Sequence, residues 1–197
     1  MINAINVVLI SLLIIFVFFV CEVITNNILI YDNVIYNFIM NTFQNNSITK
    51  ILKFITQFGS VLYFAIFSFL LVVLAKRKKT KFLIPINICL VTIINLIIKE
   101  IIKRPRPSVI RLVNESGYSF PSGHAMTSMA FYGLLVYLIY KRVQNKYLKW
   151  LLITALCGLI FLIGFSRIYL GVHYVSDVIS GFIAGAIYLI LFIKFTK

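Results

Sequence analysis

Polar and apolar residues in this chain do not alternate; they come in blocks. Met1–Cys21, Phe54–Ala75, Phe82–Ile98, Ala125–Tyr140, Trp150–Ser166 and Val178–Ile193 contain no Lys, Arg, Asp, Glu or His. Crossing about 30 Å of hydrocarbon takes about 20 residues of helix at about 1.5 Å per residue. The shorter blocks reach that length if their helices begin in the flanking polar residues. Pro121 suits the first turn of the fourth, where a missing N–H costs nothing. The pattern predicts an all-α bundle of six transmembrane helices, with residues 1–197 forming one integral membrane domain.

Between the first two blocks, Ile28–Phe43 places Val34, Ile35, Phe38 and Ile39 on one side, interleaved with Asn33, Asn37 and Asn41. This spacing fits a short helix lying in the outer interface, or a loop packed over the bundle. The first block lacks a basic leading region, and Cys21-Glu22-Val23 is a poor cleavage site, so a retained first helix is expected rather than a signal peptide.

Composition agrees with lipid as the solvent. Of 197 residues, 61% are hydrophobic and 12% charged, and the mean hydropathy is +1.02. A soluble domain of this size could not cover itself with so few polar groups. The net charge of +14 would suggest nucleic acid in a soluble protein, but its distribution points to the bilayer. Six crossings put Lys76–Lys81, Lys141–Lys149, Lys194 and Lys197 beside the N-terminus, eleven basic residues against eight on the opposite face. The positive-inside rule makes that face, with both termini, cytoplasmic. Neither nucleic acid nor an obligate protein partner is implied. Cys21, Cys89 and Cys157 have no paired spacing and read as ordinary small apolar residues.

The polar residues that remain converge. "KEIIKRPRPS" ends the third block, "PSGH" opens the fourth, and "SRIYLGVHYVSD" follows the fifth. Six crossings put all three on one face, away from the cytoplasmic loops. Lys99 and Arg106 are seven apart, on one side of a helix for as long as the helix lasts; Pro105 and Pro107 stop it. Lys99, Arg106 and Arg167 offer three cations, while Ser122 and Gly123 open a helix whose free N–H groups attract an anion. Guanidinium groups match phosphate oxygens two at a time. His173 and Asp177 are i, i+4, so on a helical turn Asp177 can accept a hydrogen bond from Nδ1–H, fixing the tautomer and leaving Nε2 free as a nucleophile. His124 is the other group suited to proton transfer near neutrality.

Three other readings compete. The basic cluster could be a headgroup tether, and the cradle could bind or transport anionic lipid without turnover. His124, His173 and Asp177 could hold a metal in a metal-dependent hydrolase, although three nearby cations would repel a dication.

The same residues form a set of motifs. Lys99–Arg106–Pro107 reads K-x6-R-P, Pro121–His124 reads P-S-G-H, and Ser166–Arg167–His173–Asp177 reads S-R-x5-H-x3-D. In this set of eleven specified positions the chain resembles the type 2 phosphatidic acid phosphatase superfamily, membrane lipid phosphatases that share motifs with vanadium haloperoxidases. One departure is Val175, where many relatives carry proline. The resemblance implies a metal-independent phosphatase with His173 as nucleophile, Asp177 orienting it and His124 as acid. Lys99, Arg106, Ser122, Gly123 and Arg167 would then hold the phosphate. Bacterial members acting on phosphatidylglycerol phosphate or undecaprenyl diphosphate look most similar in length.

Overall fold

The apolar blocks become helices because a chain in lipid must satisfy its backbone hydrogen bonds within each segment. The structure, a computed structural model, describes residues 4–75 and 77–196. Lys76 and Lys197, two of the basic residues counted above, lie outside the described residues, as do the first three positions of the first block.

Eight helices are described: α1 (Ala4–Ile24), α2 (Leu29–Phe43), α3 (Asn46–Gln57), α4 (Val61–Leu74), α5 (Lys78–Ile102), α6 (Gly123–Arg142), α7 (Lys146–Tyr169) and α8 (Val175–Thr196). Side-chain caps mark several starts. Asn45 accepts from the Ser47 N–H, Ser60 from Tyr63 and Asn145 from Leu148, relieving donors that the first helical turn leaves unpaired.

By length and composition α1, α5, α7 and α8 can each cross a membrane; α3 and α4, bent by 52° at their junction, make a fifth candidate if taken together. The block Phe54–Ala75 is therefore not one straight helix. It breaks after Gln57, where Phe58 and Gly59 turn the chain and Ser60 caps a new start. Of the segment 28–43, residues 29–43 are helical as α2. Its Val34, Ile35 and Phe38 face outward, while Asp32 and Ile39 are buried against the bundle.

α6 is the hub: α5, α7 and α8 pack around it, α1 lies on α8, α3 on α7 and α4 on α5. Val91, Met126, Ala130, Leu134, Ala184 and Tyr188 join α5, α6 and α8 in one cluster. Phe64, Ile84, Phe131 and Ile163 join α4 to α7 in another. α1 buries only Val23, and the three free cysteines are exposed on the outside of the bundle. In water that surface would be untenable; in lipid it is the solvated face.

Two glycines hold α8 unusually close to the start of α6. A Cβ on Gly181 would lie 2.7 Å from the Ser122 carbonyl oxygen, and one on Gly185 would lie 2.6 Å from that of Met126. Spaced four apart on α8, they let its backbone press against its neighbour. The Ser122 N–H accordingly donates to the Asp177 carbonyl at 3.0 Å.

Candidate active site

Antiparallel packing brings the C-terminal ends of α5 and α7 to the N-terminal ends of α6 and α8, beside the α3–α4 bend. A cavity of about 250 Å³ opens there, lined among others by Lys99, Arg106, Glu115, Gly123, His124 and His173. Ser122, Arg167 and Asp177 stand behind this lining, fully buried. The three polar stretches expected to converge thus lie at one end of the bundle.

Their detailed placement differs in two ways from the expectation. α5 ends at Ile102, and Lys103 takes a left-handed cap conformation with φ of 50°. Arg106 therefore does not share a helical face with Lys99. Loop carbonyls position it instead: its guanidinium donates to Gly117 at 3.0 Å and to Ser116 and Val172 at 2.8 Å. Lys99 reaches the same loop and donates to the carbonyls of Tyr118 and, at 3.3 Å, Ser119.

The second difference concerns the His173–Asp177 pair. His173 precedes the start of α8, so the i, i+4 spacing is not that of one helical face. His173 Nδ1 lies 3.6 Å from Asp177 Oδ2, too far for a hydrogen bond. Ser119 Oγ sits between them, 3.2 Å from His173 Nδ1 and donating to Asp177 Oδ2 at 2.5 Å. The other Asp177 oxygen accepts from Arg104 at 2.6 Å. Arg104 also donates to Asp32 of α2 at 2.8 Å and lies over the Tyr174 ring. Asp32 accepts in turn from the Ser176 N–H at 2.8 Å and the Ser176 hydroxyl at 2.6 Å.

At the far side of the imidazole, Arg106 Nη1 lies 3.2 Å from His173 Nε2. A guanidinium has donors only, so Nε2 is the acceptor and the single ring proton belongs on Nδ1. Burial pushes the His173 pKa down to about 3, against the opposing pull of Asp177. The ring is neutral at neutral pH, with a lone pair toward the cavity.

Around it stand the anion-binding candidates. Arg167 donates to Thr56 Oγ1 at 2.8 Å and to Glu115, and Glu115 is also 3.8 Å from Arg106. Among the described residues, buried Arg167 Nε and Ser122 Oγ have no hydrogen-bond partner. Gly123 lines the cavity, yet a Cβ there would meet Asn95 Oδ1 at 3.0 Å. Glycine at this position therefore serves the α5–α6 contact. The imidazole of His124 rests against the α3–α4 bend, where a Cβ on Gly59 would come within 2.9 Å of it.

Residues 81–197 match the family model described as the PAP2 superfamily. This chain belongs to that superfamily. Phosphatidylglycerophosphatase B of Bacillus subtilis (strain 168) is 44% identical over 96 residues, a segment spanning 47% of this chain and 46% of that relative. The alignment thus reaches about half of the relative's length. An undecaprenyl-diphosphatase of the same organism is 28% identical over 160 residues, covering 78% of this chain and 77% of the relative. The crystal structure of a transmembrane PAP2-type phosphatidylglycerolphosphate phosphatase from Bacillus subtilis superposes with a TM-score of 0.84 at 26% identity, covering 95% of this chain and 94% of the other. With that neighbour and its own apolar helices, this PAP2 chain is a multi-pass membrane protein.

Four residues of the PAP2 site are not singled out by the sequence motifs: Asp32, Arg104, Glu115 and Ser119. Two carry a legible signal. Asp32 and Glu115 belong to the five acidic residues of a chain that is mostly apolar, where each carboxylate needs a partner. Arg104 lies inside the first polar stretch and Ser119 just before the second, but nothing in their spacing says what they touch. Among the described residues no three His, Cys, Asp or Glu side chains form a group able to hold a metal ion, the set His124, His173 and Asp177 included.

Proposed function

We propose that this protein is a membrane phosphatase that removes the terminal phosphate of a lipid phosphate or diphosphate through a phosphohistidine. The observation that carries this reading is the state of His173: a neutral ring, its Nδ1 proton engaged on the inner side, its Nε2 lone pair turned toward a cavity bordered by cations.

In this reading the phosphate lies against Lys99, Arg106, Arg167, the Ser122 hydroxyl and the Gly123 N–H at the start of α6. The free Ser122 Oγ and Arg167 Nε support this assignment. As Arg106 shifts its hydrogen bond from His173 Nε2 to the phosphate, the freed Nε2 forms a bond to phosphorus and the bond to the leaving oxygen breaks. Charge spreading over the phosphoryl oxygens is held by the cations and the helix N-terminus. His124, charged once the bound phosphate offsets the cations around it, gives its proton to the leaving oxygen. It then takes a proton from water, whose oxygen attacks phosphorus while the P–N electron pair returns to Nε2. Asp177 balances the positive imidazole of the intermediate. No metal enters any step.

For topology, we propose six crossings, α1, bent α3–α4, α5, α6, α7 and α8, forming one unit over residues 1–197. Both termini are then cytoplasmic and the site faces the extracytoplasmic side, with α2 in the outer interface. The charge count supports this, and the needs of the site strengthen it. Of the eight basic residues on the outer face, Lys99, Arg104, Arg106 and Arg167 are engaged in the site or its support. The bias left to orient the chain is larger than eleven against eight.

The relatives' names supply two substrate classes to test, phosphatidylglycerol phosphate and undecaprenyl diphosphate; phosphatidic acid is the third. Each is presented to purified protein in mixed micelles. Phosphate release is expected from at least one, lost in His173→Ala with the fold intact, insensitive to EDTA and blocked by vanadate. Turnover by His173→Ala would sink the covalent route, and dependence on added divalent metal would favour the metal-dependent alternative. Binding without release from any lipid would favour a non-catalytic lipid binder.

A further inference from the structure

The oxygen nearest the inner nitrogen of His173 belongs to a serine. Asp177 is not free to move closer: one of its carboxylate oxygens is held by Arg104 at 2.6 Å, and the other accepts from the Tyr174 N–H at 2.9 Å as well as from Ser119. Arg104 is itself held by Asp32. These groups lie in a dry setting: Asp32, Arg104, Ser119, His173 and Asp177 are 2%, 6%, 0%, 3% and 0% exposed. Rotating the Asp177 carboxylate toward His173 would break a buried ion pair.

Ser119 is equally well held. Its N–H donates to the Arg104 carbonyl at 2.8 Å, and its own carbonyl accepts from Lys99. A hydroxyl has one proton to give and lone pairs to receive. The carboxylate can only accept, so the serine proton points to Asp177 and an oxygen lone pair is left for His173. Arg106 at Nε2 requires that the ring proton be on Nδ1, facing that lone pair. Each donor in the sequence Nδ1–H, Oγ–H, carboxylate thus has one acceptor.

We infer that Ser119 is the positioning residue for His173, accepting the Nδ1–H and donating to Asp177, so that aspartate and histidine communicate through a hydroxyl instead of touching. No proton is transferred along this chain. Nδ1 keeps its proton as Nε2 is phosphorylated and released, and the positive imidazolium of the intermediate strengthens both hydrogen bonds. The aspartate's charge acts through the serine dipole. The role rests on the reading of His173 as nucleophile; the hydrogen bond does not.

The chain has only two histidines, which makes the test direct. Full-length protein carrying 15N-histidine, in detergent micelles at pH 7, is compared with His124→Asn to assign the ring signals. The wild type is expected to show His173 as the neutral Nδ1–H tautomer. Ser119→Ala is expected to mix the two tautomers and to lower kcat for lipid phosphate about 10²–10³-fold with KM within threefold, an orientation effect. Ser119→Thr, which restores the hydroxyl, recovers kcat to within about tenfold of wild type.

A wild-type His173 in the Nε2–H form would overturn the inference, and that measurement needs no variant to fold. So would a Ser119→Ala protein with wild-type kcat and an unchanged tautomer. Failure of the wild type to release phosphate from any lipid would overturn the phosphatase reading instead, with the ring signals still deciding the hydrogen bond.

Discussion

Arg104 and Asp177 meet at 2.6 Å with side chains 5% and 0% exposed, and Asp32 closes the other side of the same guanidinium. Residues 32, 104 and 177 come from α2, the loop after α5 and the first turn of α8. The helix on the outside of the bundle is therefore tied to the carboxylate behind His173. Removing one member of a buried pair leaves an uncompensated charge and costs about 3–5 kcal/mol. Arg104→Met is expected to lower the thermal midpoint sharply and to abolish most turnover. Asp32→Asn keeps the shape but leaves Arg104 with one carboxylate. Its kcat should fall while KM for lipid phosphate stays near wild type. An Asp32→Asn protein with unchanged kcat would separate α2 from the chemistry.

Glu115 lies where an anion would compete with it. It pairs with Arg167 and stands 3.8 Å from Arg106, two of the proposed phosphate ligands. Glu115→Gln is expected to tighten inhibition by inorganic phosphate and vanadate several-fold, because the cations are released from an internal competitor. Weaker inhibition in this variant would instead make Glu115 a support that orients Arg167.

Gly59 tests His124 from a distance. An alanine there would crowd the His124 ring at 2.9 Å and Ile163 at 2.6 Å. If His124 protonates the leaving oxygen, Gly59→Ala should slow hydrolysis of a lipid phosphomonoester about 10–100-fold, within reach of a partial loss of acid catalysis. p-Nitrophenyl phosphate, whose leaving group needs no acid, should be much less affected. Equal losses on both substrates would place the damage elsewhere.

The pH dependence follows from burial of His173. Its pKa is lowered to about 3, below the ordinary histidine value of about 6.5. Between these values the unfolded chain binds a proton that the folded protein does not. Stability from this group is thus fully present above about pH 6.5 and is lost as pH falls toward 3, by up to about 1.4 kcal/mol per pH unit. The groups facing the ring are Arg106 at Nε2 and Ser119, backed by Asp177, at Nδ1. Thermal midpoints in detergent should fall from pH 7 to pH 5 more steeply for wild type than for His173→Asn. Turnover of folded protein should show no loss from nucleophile protonation in that interval.

Much of this site is legible in the sequence because charge is costly in an apolar chain. Lys99, Arg106, His124, Arg167, His173 and Asp177 stand out against long uncharged blocks, and they lie at the ends of α5 to α8 that meet at one end of the bundle. Periodicity goes wrong where the helix stops: Lys99 and Arg106 are seven apart, but α5 ends at Ile102 and loop carbonyls orient the arginine. It also misleads at His173 and Asp177, because the histidine lies before α8 begins.

Local composition was enough to specify the solvent, most of the helical blocks and the cast of charged residues, since hydropathy and the energetic cost of buried charge can be read residue by residue. Which of those residues touch was left to the packing of the helices. Asp32 bonds to Ser176 across 144 positions, and Ser119 reaches His173 across 54. Hydrogen bonds discriminate over a few tenths of an ångström, and no spacing along the chain carries that information. The separation of 3.6 Å between His173 and Asp177 is the difference between a pair that bonds directly and one that needs Ser119 between.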